Sequence, residues 1–227
     1  MRTKRYISLL LAALMALTLT ACGGDKDKDK ETDGDMTIQP AQLTEEEQAL
    51  ADLLALGMGS HHIFSFQVKG AKSVQLQVYE LVDGEWSLLQ SPGGAGLSAE
   101  NGRIALSFGK LTDGARVAIQ CDGQVFSNEF RIEPADDVSG MSFGTSTLGK
   151  GPTDVELDQE IPLALQVATS TGELRMYQVD YFEMPRELAK AGYEHIYAIT
   201  ATFSAKNFGA APSVPSAGPS AQPSPEQ

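Results

Sequence analysis

Of the 227 residues only two are cysteine, Cys22 and Cys121, one is tryptophan and three are histidine. Two cysteines cannot build a disulfide framework or a cysteine-based zinc motif. There is no Gly-x-Ser-x-Gly elbow for a nucleophilic serine, and Cys121 has no recognisable histidine partner. The stretch "SPGGAGLSAENG" lacks the lysine and following helix of a phosphate loop, and reads as a mobile loop. Positive charge is also scarce: 17 Lys and Arg against 30 Asp and Glu give −13 at neutral pH. A surface of that sign repels nucleic acid and anionic lipid, which argues against DNA or RNA as partners. The apolar stretch from Ile7 to about Leu19 is too short for a comfortable membrane span.

That stretch follows Arg2, Lys4 and Arg5 and ends in Leu19-Thr20-Ala21-Cys22. A basic stub and an apolar core of this length read as an export signal over residues 1–21. The ending resembles the lipobox of bacterial lipoproteins, an aliphatic residue and two small residues before a cysteine. The resemblance implies that the Cys22 thiol carries diacylglycerol and becomes the first residue of the mature chain. The protein would then sit lipid-anchored on the extracytoplasmic face of the cell membrane. One acyl chain holds a protein only marginally, at about 0.8 kcal/mol per buried methylene, so two chains on one thioether make the anchor durable. Cleavage removes three basic side chains and no acid, so the mature chain is more acidic still. With Cys22 acylated, Cys121 has no intrachain partner. It follows Val117 and Ile119 at period two, as a small buried side chain would.

Residues 22–43, with "GGDKDKDKETDGD", have too little to bury against the entropy of ordering and are expected to form a flexible tether. A helix is expected over 44–58, where Thr44 and Glu47 can form a capping box. Its apolar stripe, Leu50, Leu53 and Leu54, is expected to cover the domain that follows. From 59 to 206 the pattern turns to period two: Phe64, Phe66 and Val68; Val74, Leu76 and Val78; Ile104, Leu106 and Phe108. Asp83-Gly84, Asp113-Gly114 and Asp122-Gly123 mark turns, the last a tight hairpin. "IPLALQVATS" and "ELRMYQVDYFEM" suggest another hairpin about Thr171-Gly172, and "PRELAKAG" a short helix begun by Pro185. About nine or ten such strands argue for a mainly β protein, an antiparallel β-sandwich with a short N-terminal helix and one short helical insertion. The body could divide in two only near 134–151. Residues 207–227, rich in Pro, Ser and Ala, read as a disordered tail.

Few residues suggest chemistry. Asp154, Glu156, Asp158 and Glu160 alternate with apolar residues. If extended, they share one face about 6.5–7 Å apart, close enough for a calcium ion to bridge two of them. A calcium loop would want a glycine where Gln159 stands. His61 and His62 point to opposite faces of a strand and make a poor chelating pair. His195, at period two with Tyr193 and Tyr197, reads as a structural histidine at a sheet's rim or interior. Trp86 and Tyr79 could stack a sugar or pack across a hairpin. Asp180 and Glu183 could serve a carboxylate hydrolase if they flanked a substrate.

The strands "EIPLALQV", "GELRMYQVDYFEM" and "GYEHIYAITATF" also resemble uncharacterised lipoproteins of Gram-positive anaerobes, a resemblance that brings no known activity, and no cofactor is expected. The expected role is non-enzymatic: a surface lipoprotein binding an envelope protein or a glycan. A carbohydrate-binding module and an extracellular hydrolase are the alternatives.

Overall fold

The computed structural model describes residues 36–54, 59–134 and 136–209, which belong to one compact unit beginning at Asp35. The expected signal peptide, Cys22, most of the tether and nearly all of the tail lie outside the described residues.

Eleven antiparallel strands form two sheets among the described residues. The first contains β1 (Thr37–Pro40), β2 (Ser60–Gln67), β5 (Asn101–Phe108), β6 (Ala115–Cys121), β7 (Gln124–Phe130) and β9 (Thr153–Asp154), in the order β7-β6-β5-β2-β1-β9. The second contains β3 (Ser73–Val82), β4 (Glu85–Gly96), β8 (Ser142–Thr147), β10 (Glu160–Thr169) and β11 (His195–Ser204), in the order β4-β3-β11-β10-β8. Helix α1 (Glu45–Leu54) follows β1, and the short helix α2 (Pro185–Ala189) lies between β10 and β11. This is the expected sandwich. The 134–151 stretch is a loop within it, carrying β8, which pairs with β10.

Alternation makes the core. Phe64, Phe66, Ile104, Leu106, Val117 and Ile119 bury one side of the first sheet, and Val74, Leu76, Val78, Ile199 and Phe203 one side of the second. The tilted Phe66 and Phe203 rings, 5.0 Å apart, join the two. Asp83-Gly84 and Asp122-Gly123 turn with positive φ at both residues, as two-residue hairpins of this twist require. Asp113 instead ends a 3-10 turn (Leu111–Asp113). Gln166 ties that turn to the core: its Oε1 accepts from the Leu111 N–H at 2.9 Å and its Nε2 donates to the Gly109 carbonyl at 2.8 Å.

Four expectations are corrected. Thr37–Pro40, inside the expected tether, is a strand, because Ile38 has a place in the core. The expected loop at "SPGGAG" is the end of β4, pairing with β3 through register shifts. Residues 173–178 are not a strand. The Tyr193 hydroxyl accepts from the Arg175 N–H at 2.7 Å and donates to its carbonyl at 2.9 Å, bonds that a sheet neighbour would otherwise supply. The segment, with a 3-10 turn at Val179–Glu183 and α2, lies against β10 and β4 instead. Leu174 and Met176 cross Gly144, where a Cβ would come within 2.2 Å of Leu174 Cδ2. This cover explains why β10 and β11 are buried on both faces and read as near-continuous apolar runs.

The fourth correction concerns α1. Its capping box forms: the Glu47 N–H donates to Thr44 Oγ1 at 3.2 Å, and the Thr44 N–H to Glu47 Oε2 at 2.9 Å. Leu50 and Leu53, however, face away from the sheet, 57% and 62% exposed. The helix docks instead by its polar side, onto Arg103 and His61.

Candidate functional site

A hollow of about 710 Å³ among the described residues is an open cleft beside α1. Its floor is made by residues 59–64, the start of β2. Neighbouring side chains on a strand point to opposite faces, so six consecutive residues can line one wall only through the strand's backbone edge. Pro40, Ala41 and Leu43, where the chain leaves β1 for α1, and Thr147 of β8 also line it. Gly59 (φ +89°) starts the floor so close to Gly109 that a Cβ would fall 2.4 Å from its Cα; only glycine fits.

The polar groups of the cleft come from α1 and β2. Gln48 and Asp52 are one helical turn apart and face His61. Gln48 Nε2 donates to Asp52 Oδ1 at 2.9 Å and lies 3.0 Å from His61 Nε2. Asp52 Oδ1 is also 3.4 Å from His61 Nε2. Since Gln48 and Asp52 meet the same ring nitrogen, and Ser60 leaves the strand on the opposite face, no Ser-His-Asp relay forms here. His62 points to the core side, its ring 5.7 Å from that of Phe108. Burial pushes its pKa down, with the neighbouring His61 adding to the effect, so it stays neutral. At the far end of α1's polar face, Arg103 Nη1 donates to Glu47 Oε1 at 3.0 Å. The Thr44 N–H first, and then this guanidinium, hold the Glu47 carboxyl below the usual range.

The other candidate residues lie elsewhere. Asp154 is in β9, whereas Glu156 and Asp158 are in the turn before β10 and Glu160 opens it. Asp158 has φ +62°, which breaks the extended run, so the four carboxylates do not share one face. Glu160 accepts from the Tyr79 hydroxyl, and Glu156 from the Gln159 side chain. Among the described residues no three His, Cys, Asp or Glu side chains gather as a metal would need. The Trp86 ring stacks on Phe182 at 4.9 Å and its N–H donates to the Phe182 carbonyl at 2.8 Å. Tyr79 meets the same phenyl edge-on at 5.9 Å, so this aromatic group packs the 173–193 segment instead of offering an open platform. Asp180 and Glu183 do line a hollow of about 390 Å³. They come from one 3-10 turn at i and i+3, where side chains eclipse, and therefore stand on one wall, not on two sides of a substrate. His195, 5% exposed, has Nδ1 2.9 Å from Glu80 Oε1 and stacks on Tyr197. Cys121 is buried, its thiol donating to the Ala99 carbonyl at 3.5 Å.

Sequence reasoning missed the cleft. Its signal was the i, i+4 pair Gln48 and Asp52 opposite the leucines, together with Pro40 ending a short strand. Compared with known proteins, the chain matches no family model, no curated protein and no solved structure.

Proposed function

We propose that this chain is a lipid-anchored extracytoplasmic binding module, non-enzymatic, held to the cell membrane at Cys22 and taking its ligand at the cleft beside α1. The anchor rests on the order Leu19-Thr20-Ala21-Cys22 behind a basic, apolar leader. The binding role rests on one observation: the 710 Å³ cleft gathers Gln48, Asp52 and His61 at an open strand edge, with no nucleophile set against them among the described residues. The glycan alternative loses its platform where Phe182 covers Trp86, and the hydrolase alternative its opposed acids where Asp180 and Glu183 share a wall.

Bacteria expressing the chain and fed labelled palmitate should label the wild type and not Cys22→Ser; an unlabelled wild type would end the anchor. The full chain in detergent should retain a ligand on arrays of peptides and glycans. Thr147→Trp, which fills the cleft, should abolish that retention, and unchanged retention would remove the cleft from the function.

A further inference from the structure

β1 is a strand cut short. It pairs with β2 from Thr37↔Gln67 to Pro40↔Phe64, and the last bond between them runs from the Ala41 N–H to the Ile63 carbonyl at 2.8 Å. Beyond it the chain turns away into α1, while β2 continues back to Ser60 with only β5 beside it.

In an antiparallel ladder the N–H and C=O of one residue point to the same side, and the next residue's to the other. The Ala41–Ile63 bond sets odd-numbered residues of β2 toward β1. The Val68 N–H, donating to the Glu100 carbonyl at 2.7 Å in line with β5, sets even-numbered ones the other way. The N–H and C=O of His61 therefore face the cleft, and among the described residues no strand lies opposite them. The same rule applies to β8. The Leu148 N–H donates to the Leu163 carbonyl at 3.2 Å, toward β10, so the Thr147 backbone faces the open side. Among the described residues no strand pairs with either of these edges, and both residues line the cleft.

Other edges carry features that discourage pairing. β9 is two residues long, β4 carries register shifts and Pro92, and Asn128 of β7 donates to the Pro92 carbonyl at 2.5 Å, closing that side. The edge over 60–62 has no proline, lysine or bulge.

We infer that the cleft is a vacant strand position, and that its ligand is an extended peptide from another protein, added antiparallel to β2 in line with β1. This rests on the cleft being the binding site and names its ligand class. Residues 59–62 offer about 13 Å of edge, room for about four peptide residues. Among the described residues Asp52 is the one carboxylate lining the cleft and no Lys or Arg lines it, on a molecule of net charge −13, so the peptide is neutral or basic.

The probe is an immobilised array of capped octapeptides alternating apolar and polar residues, in neutral, basic and acidic sets, read with the full chain in detergent. Neutral or basic peptides should be retained and acidic ones lost. The best binder is then remade eight times with one backbone nitrogen methylated in each. Loss of about tenfold at two positions spaced two apart, with the position between them and the remaining positions tolerated, is the result expected of ladder bonding to this short edge. An even or side-chain-governed pattern would overturn strand addition. Retention of glycans alone would overturn the peptide and leave the binding role standing; retention of neither would overturn both.

Discussion

At the scale of single residues, buried or pinned polar groups fix how segments meet. Gln166 bonds the Leu111 N–H and the Gly109 carbonyl from inside the sandwich, and Tyr193 stands in for a missing strand at Arg175. Glu194 does the same where β10 gives way to the 173–193 excursion. The Ser170 hydroxyl first, and then its N–H at 3.1 Å, hold the Glu194 carboxyl down to about 2, from an ordinary value near 4.5. The folded chain binds this proton less readily than the unfolded one. The contribution of the ionised group is therefore whole above about pH 4.5 and is lost as pH falls toward 2. An NMR titration should find the Glu194 midpoint near 2, and Ser170→Ala should return it toward 4.5; a wild-type midpoint already near 4.5 would contradict this contact.

At the scale of elements, α1 is the informative case. Its leucine spacing argues for an apolar docking face, yet the outer side of β2 and β5 offers Arg103 and His61, and the helix turns Glu47, Gln48 and Asp52 toward them. Thr44→Ala, which removes the capping hydroxyl, should cost about 1 kcal/mol in chemical unfolding. Leu53→Ser, at an exposed position, should cost less than about 0.5 kcal/mol. A larger loss at Leu53 than at Thr44 would mean that the leucines are covered after all. What the sequence shows and hides follows the same line. Period-two patterns such as Val74-Leu76-Val78 reveal strands with one buried face, and Asp-Gly pairs reveal turns, because both depend on local geometry alone. Residues 173–178 alternate like a strand but have no neighbour to pair with, and Thr37–Pro40 is ordered only because a partner strand waits thirty residues on. Pairing is decided by distant sequence, and so was not legible. The cleft was hidden for that reason: it exists where a pairing partner is missing.

At the scale of the whole molecule, a two-sheet body is closed on the side where β4 and β7 lean together and open at the corner where β1 stops and β8 ends. The proposed anchor at Cys22 would present that corner outside the membrane, and the acidic surface would keep the body off anionic headgroups. The unfilled corner carries the functional reading, and backbone amide exchange in the dilute, ligand-free chain tests it directly. The His61 amide should exchange far faster than those of His62 and Phe64, which bond to β5. Saturating peptide should slow His61 and leave the other two unchanged. A His61 amide as protected as its neighbours in the free chain would show that the corner is already filled, by the chain itself or by a second copy, and would contradict the vacant strand.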